Sequence, residues 1–343
     1  MSTLEDFNTV LRRLAVGEKL SQDVSARAFA AIMAGDVSPV RMAAFLTAFA
    51  VREATTEEIV GAARAMRLAM RRIEAPADAI DLCGTGGDGH GTLNVSTAAA
   101  FVVAACGVPV AKHGNRNMSS RTGAADVLEA LGVRIDLDPA GAERCLREAG
   151  ICFLFAQTYH PAMKHVAAVR GELGFRTIFN LLGPLSNPGG VRRQLLGVYS
   201  REWLVPIANV LAKLGAEKAW VVHGSDGLDE MTTTGVSHVA VLEDGKVSTL
   251  TVAPQDVGLE HASLSALKGG IPDDNADAIR KLLGGTRGAF RDIVLLNASA
   301  ALIVADKARD LKDGIARAAQ AIDSGAAGNV LAKLESVSQG FRT

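Results

Sequence analysis

The sequence predicts an α/β protein in which a small all-helical N-terminal domain precedes a larger α/β domain with a mainly parallel central sheet covered by helices. Three observations predict this. Up to about residue 70, apolar residues recur only at helical spacing. From Ala79 onward, short apolar runs alternate with helical stretches, the pattern of parallel strands joined by crossover helices. The chain is 48% hydrophobic but only 4% aromatic, so its core is built from Ala, Val, Leu and Ile packed between layers.

The elements follow in order. Leu4, Phe7, Val10, Leu11 and Leu14 keep the helical period until Gly17 stops it. Ser21 caps a second helix ending at Gly35, and Ser38-Pro39 carries the cap-then-proline start of a third. Thr55 and Glu58 form a capping-box pair opening a fourth. The helical domain is placed at 1–73 and the α/β domain at 74–343, with Glu74-Ala75-Pro76 as the link. Strands are expected at Ala79–Cys83, Val108–Ala111, Val133–Asp136, Ile151–Phe155, Leu195–Val198 and Ala219–His223, with helices near 96–106, 123–131, 139–149 and 201–214. A hairpin, Val239–Leu242 and Val247–Val252, turns through Glu243-Asp244-Gly245, and three helices at about 273–283, 290–306 and 308–323 close the chain. Segment 170–190 fits no strand–helix unit. Its Gly and Pro punctuation suggests an irregular crossing back to the helical domain, and an inter-domain cleft is a common ligand site.

Composition removes several function classes. The 36 basic and 37 acidic residues nearly cancel, which argues against a general nucleic-acid or membrane-surface binder. Cys83, Cys106, Cys145 and Cys152 show no C-x-x-C or zinc-like spacing and read as small buried hydrophobes in a reducing compartment. Glu5 and Asp6 stand where a secretory signal would be basic then apolar, and polar residues break the longest uncharged run, 89–111. The expected location is the cytoplasm.

The chemistry concentrates between Asp81 and Asp126, where no Asp or Glu occurs from Gly89 to Ala125 while Lys112, Arg116 and Arg121 do. Gly84-Thr85-Gly86-Gly87-Asp88-Gly89 satisfies G-x-G-x-x-G after a strand. A dinucleotide reading fails twice: no acid follows about 20 positions on to hold a ribose, and Asp88 has the wrong charge for a bare pyrophosphate. Asn94-Val95-Ser96-Thr97 opens an apolar helix, whose start offers N–H groups, a positive dipole end and hydroxyls to a phosphate. The basic, hydroxyl-rich loop from Lys112 to Arg121 leaves the next strand at the edge where ligands bind in open α/β sheets. Two such loops imply a ligand with more than one phosphate, and such ligands bring Mg²⁺. Asp226-Gly227-Leu228-Asp229-Glu230 supplies carboxylates suited to an ion that takes most of its coordination from phosphate and water.

In that order, D-x-x-G-T-G-G-D-G, N-x-S-T-A-A-A-F, K-H-G-N-R, S-S-x-x-G-x-A-D-V-L-E-A-L-G and D-G-x-D-E resemble the anthranilate phosphoribosyltransferases over nearly the whole chain. Segments 170–177 and 183–188 are similar to that family too. The resemblance implies a transfer of the phosphoribosyl group of 5-phosphoribosyl 1-diphosphate to anthranilate in tryptophan biosynthesis, by a homodimer of helical and α/β domains. It implies that Gly84, Gly87, Asp88, Thr92, Asn94, Val95, Ser96, Thr97, Lys112, His113, Gly114, Asn115, Arg116, Asn117, Met118, Ser119, Ser120 and Ala124 contact the phosphoribosyl diphosphate. Ser96, Asp229 and Glu230 would hold two Mg²⁺ ions, and Gly84, Asn115 and Arg170 would contact anthranilate. Departures are modest: Asn117 stands where Ser is frequent, Cys83 where a β-branched residue is, and Ala124 where Ser or Cys also occurs.

This chemistry needs no triad, because the leaving group is what must be stabilised and a neutral aromatic amine attacks without prior deprotonation. His113 and His160 are the proton-acceptor candidates, with a binding or structural role preferred for each. Two alternatives stand beside this reading. A pyrimidine nucleoside phosphorylase shares the architecture but has no need of Asp229-Glu230, and a non-catalytic nucleic-acid-binding relative would need a broad basic face.

Overall fold

The structure is a computed structural model that describes residues 6–87, 89–116 and 122–340. The N-terminal helices form where the capping signals lie. Helix α1 (Phe7–Ala15) is followed by α2 (Gln22–Ala34), whose first turn is capped by the Ser21 side chain, and by α3 (Pro39–Arg52), with proline at its first position. Helix α4 (Thr56–Ala69) opens on the full Thr55–Glu58 capping box. Glu58 is buried and accepts from Leu20 N at 2.7 Å and from the Arg52 guanidinium at 2.5 Å, so one carboxylate ties together three parts of the bundle.

The sheet then begins with β1 (Ile80–Gly84), followed by α5 (Val95–Ala105), β2 (Val110–Gly114), α6 (Ala124–Ala130), α7 (Pro139–Ala149) and β3 (Ile151–Phe155). The short α8 (Ala156–Tyr159), α9 (Lys164–Leu173) and the short α10 (Phe179–Leu182) lead to β4 (Arg193–Gly197). Next come α11 (Leu204–Lys213), β5 (Lys218–Gly224), β6 (Ser237–Glu243) and β7 (Lys246–Val252). Helices α12 (Pro272–Leu283), α13 (Ala289–Val304), α14 (Leu311–Asp323) and α15 (Ala326–Gln339) follow. The seven strands run β3-β2-β1-β4-β5-β6-β7; the first five are parallel, and the β6–β7 hairpin closes the far edge antiparallel.

Two expectations are corrected here. Residues 133–136 alternate inward and outward, with Val133 and Ile135 buried, but belong to no strand; Arg134 N instead donates to Ser338 Oγ on α15 at 3.1 Å. Helix α15 itself is a fourth closing helix beyond the three expected.

Two apolar clusters flank the sheet. One gathers α5, α6, α7 and the closing helices against β1, β2 and β3. The other runs from the N-terminal helices through Val166, Val169 and 178–185 to α11 and the opposite side of β4, β5 and β6. The helices of the first 70 residues therefore share one core with a face of the sheet, and α9 lies against α2 and α3. Among the described residues, no helix is long and apolar enough to cross a membrane.

Candidate active site at the carboxyl edge of the sheet

The order of the strands reverses its direction of growth at β1 and β4, and in open α/β sheets ligands bind outside the carboxyl ends of strands at such a point. Four sequence-distant pieces meet there. Gly84 ends β1 and the glycine loop follows; Asn94 precedes α5, whose first turn is Val95, Ser96 and Thr97; Lys112, His113 and Gly114 end β2; and the loop after β5 carries Asp229 and Glu230.

Direct bonds join them. Gly86 N donates to Asp229 Oδ2 at 2.7 Å, and Ser96 N donates to Glu230 Oε1 at 3.1 Å. The helix start expected to be open is thus met by a carboxylate, the charge its positive dipole end prefers. Lys112 is almost fully buried; its Nζ donates to Leu82 O at 2.6 Å and to Ser96 Oγ at 3.3 Å. The close approach of the Asp229 loop depends on two glycines paired across β1 and β4. A Cβ at Gly197 would stand 1.6 Å from the Asp229 carbonyl oxygen, and one at Gly84 would stand 2.3 Å from Asp229 Oδ2.

The two phosphate-suited loops are also clamped together. Asn94 Nδ2 donates to Thr122 O at 3.2 Å, and Asn94 Oδ1 accepts from Asn275 Nδ2 at 2.8 Å. Asn275 Oδ1 accepts in turn from Gly270 N at 2.8 Å, and Thr122 Oγ1 donates to Gly270 O at 2.8 Å. Both ends of the Asn94 amide therefore take part in the clamp, with one N–H and one oxygen lone pair still to place. Thr92 makes an isolated bridge with Lys268, which fixes the end of the glycine loop. Val95 and Thr97 are buried, and the Thr97 hydroxyl has no hydrogen-bond partner among the described residues.

Other expected residues are brought close in different ways. Asn115 O accepts from Ala125 N at 3.2 Å, beside Ala124 at the first position of α6. Arg116 is turned outward onto Asp126 at 2.9 Å and onto Glu129, so its charge is already partnered. Gly87 O accepts from Arg176, whose guanidinium lies 4.5 Å from the Tyr199 ring centre. Asp88, Asn117, Met118, Ser119 and Ser120 lie outside the described residues.

Behind this edge sits a buried polar group. Asp81 accepts from His113 N at 3.1 Å and from Asn187 Nδ2 at 2.8 Å, and burial pushes its carboxyl up from its ordinary value against the pull of Lys112. His113 Nδ1 lies 3.1 Å from Gly183 O, and its ring centre is 5.0 Å from that of His160. Burial and the neighbouring His160 hold His113 well below its ordinary value, and burial lowers His160 to about 4. Both imidazoles are neutral near pH 7.

Arg170 lies in the last turn of α9. Its guanidinium lies 5.6 Å from the Phe179 ring centre, burial lowers its pKa, and among the described residues it has no acidic partner. No hydrogen bond among the described residues joins it to Gly84 or Asn115. Reading the sequence missed Asn275, Asn187 and Arg176 as parts of this site. The signal available for them was slight, being a lone amide or a cation in an irregular stretch.

The fold that brings these pieces to one sheet edge is that of a glycosyl transferase family, whose models match both parts of the chain. Residues 76–328 match the glycosyl transferase family α/β domain and residues 8–70 its helical bundle domain. The chain is 59% identical over 335 residues to an anthranilate phosphoribosyltransferase of Beijerinckia indica, covering 98% of each chain. A second relative of that name, from Rhodopseudomonas palustris, is 57% identical over 98% of this chain and 99% of its own. The crystal structure of the Thermus thermophilus anthranilate phosphoribosyltransferase superposes with a TM-score of 0.90 at 46% identity, covering 96% of this chain and 99% of that one. The Saccharomyces cerevisiae enzyme in complex with PRPP and Mg superposes at 0.89 with 29% identity, covering 98% of each. The chain belongs to the anthranilate phosphoribosyltransferase family.

Proposed function

We infer that this chain transfers the phosphoribosyl group of 5-phosphoribosyl 1-diphosphate to the amine of anthranilate, giving N-(5-phosphoribosyl)anthranilate and pyrophosphate, in tryptophan biosynthesis. Membership of the family decides against the nucleoside phosphorylase and the nucleic-acid-binding readings. The observation that carries the site assignment is the meeting of Lys112, Ser96, the glycine loop and Asp229-Glu230 at one sheet edge.

In this reading the diphosphate lies between the glycine loop from Gly84 through Gly87, with Asp88, and the start of α5 from Asn94 to Thr97. Thr92 and the run from Lys112 to Ser120 hold the rest, with Ala124 alongside. Magnesium fits the donor set: two adjacent carboxylates and the Ser96 hydroxyl are too few to cage an ion alone, and Mg²⁺ keeps waters and substrate phosphates as its other ligands. Asp229, Glu230 and Ser96 would hold two ions, which supply charge stabilisation for the departing pyrophosphate.

The bond from ribose C1 to the diphosphate oxygen breaks as the bond to the anthranilate nitrogen forms. Lys112, itself almost fully buried, and the backbone N–H groups at the start of α5 meet the negative charge that gathers on the leaving group. Arg170, charged and without a carboxylate partner among the described residues, suits the anthranilate carboxylate, with Gly84 and Asn115 beside the acceptor. Neutral His113 and His160 are weak bases. The amine needs no stronger one, since the ammonium formed on attack is acidic and releases its proton readily.

The chain divides at residues 73 and 74 into helical and α/β domains, with about 170–190 rejoining the first, a division supported by family-model bounds of 8–70 and 76–328. A homodimer is what the family resemblance implies, and the ionic substrates suit a cytoplasmic enzyme. Purified protein mixed with anthranilate, phosphoribosyl diphosphate and Mg²⁺ is expected to quench anthranilate fluorescence with equal release of pyrophosphate. No quenching at saturating Mg²⁺ would remove the reading.

A further inference from the structure

The loop that carries Asp229 and Glu230 has no helix or strand of its own, yet its two carboxylates must be held in place to serve a metal. At its start, Asp226 Oδ1 accepts from Leu228 N at 3.1 Å, and the Thr232 hydroxyl donates to Asp226 Oδ2 at 2.6 Å. At its end, Met231 is bonded by one side chain only. Asn297 Oδ1 accepts from Met231 N at 3.0 Å, and Asn297 Nδ2 donates to Met231 O at 2.8 Å. The amide thus pairs with a single residue's N–H and C=O as a neighbouring strand would. Its second N–H donates to Ile293 O at 2.9 Å, within its own helix.

Asn297 sits in α13, in the run IVLLNASAALIV, and is 0% exposed. A buried amide in an apolar helix carries a desolvation cost that full hydrogen bonding offsets. An apolar residue here would pack equally well in α13 and would leave the Met231 backbone unpaired in the interior. Helix α13 also packs on α5, the helix whose Ser96 N–H meets Glu230. One element therefore sets both sides of the metal-binding corner.

We propose that Asn297 is a positioning residue that holds Asp229 and Glu230 in metal-binding geometry through the Met231 backbone, an inference that rests on the metal reading above. It touches neither substrate nor metal. Groups that orient metal ligands in this way are worth about tenfold to a hundredfold in metal affinity.

The test uses Mn²⁺ as the probe, with free Mn²⁺ followed by electron paramagnetic resonance in the presence of phosphoribosyl diphosphate. Wild-type protein and Asn297→Leu are compared, with thermal midpoint and the KM for anthranilate measured on the same samples. Expected is a loss of Mn²⁺ affinity of about tenfold to a hundredfold in the variant, with the anthranilate KM within roughly twofold of wild type. Equal Mn²⁺ affinity in the two proteins overturns the role of Asn297 and leaves the metal reading standing. Wild-type protein that binds no Mn²⁺ with the diphosphate overturns the metal reading and this inference with it. If Asn297→Leu does not fold, Asn297→Ser carries the same comparison. Should neither fold, or should Mn²⁺ affinity and anthranilate KM decline together, Asn297 serves the fold alone and the proposal is overturned.

Discussion

The two ends of the candidate cleft are built differently. At the proposed diphosphate–metal end, four side chains are braced from other parts of the chain: Asp229 by Gly86 N, Glu230 by Ser96 N, Lys112 by Leu82 O, and Asn94 by both Thr122 and Asn275. At the proposed acceptor end, Arg170 rests over one phenylalanine ring with no carboxylate beside it among the described residues. The contrast follows from the chemistry. Charge develops on the leaving group during the reaction and is stabilised best by groups already in place. The anthranilate carboxylate keeps its charge throughout, so one cation suffices to select it.

Removing the carboxylates should break the contrast most severely. Asp229→Ala with Glu230→Ala is expected to lower kcat/KM by about a hundredfold or more and to shift the activity–Mg²⁺ curve to higher concentration. An unaltered Mg²⁺ dependence would mean that the pair serves the fold alone. Arg170→Ala tests the other end. Loss of one charge-assisted contact should weaken the use of anthranilate by roughly tenfold to a hundredfold, with the KM for phosphoribosyl diphosphate much less affected. Steady-state kinetics with each substrate varied in turn separates the two, and an unchanged anthranilate dependence would sink the assignment.

A smaller effect sharpens the picture of bracing. Asn275→Ala removes the donor to Asn94 Oδ1 and the acceptor of Gly270 N, and should raise the KM for phosphoribosyl diphosphate by about three- to tenfold. An equal rise in the KM for anthranilate would show that the clamp serves the whole cleft. The smallest effect concerns the buried imidazole behind the site. His160 titrates at about 4 in the folded protein against 6.5 when free, so the unfolded chain binds the additional proton as pH falls between those values. Stability is unaffected above 6.5 and is lost below it, by up to about 1.4 kcal/mol per pH unit. Thermal midpoints of His160→Gln should fall less steeply than wild type over that range, and parallel slopes would contradict the assignment.

Much of this was legible in the sequence, for a definite reason. Gly84, Ser96, Lys112, Asp229 and Glu230 lie in short runs whose chemistry is local, and the strand–helix alternation places each run at a strand's carboxyl end. Asn275 and Asn187 were not legible, because they act on residues 181 and 106 positions away and nothing in their own neighbourhoods marks them. The alternating stretch at 133–136 misled for the converse reason. Its inward and outward pattern is real, but the backbone partner it implied is the hydroxyl of Ser338 on α15. Helix α15 was missed where Gly325 and Gly328 interrupt the apolar pattern near its start.

The glycine pair across β1 and β4 has a use outside this molecule. Gly84 and Gly197 are register partners, and each leaves out the one carbon that would collide with Asp229. The two positions work as a lock of fixed gauge, open only to a loop that brings its carboxylate against the sheet. A chain with this fold that carries larger residues at both has filled that space. Two letters of its sequence would then suffice to tell that its loop after β5 takes another path.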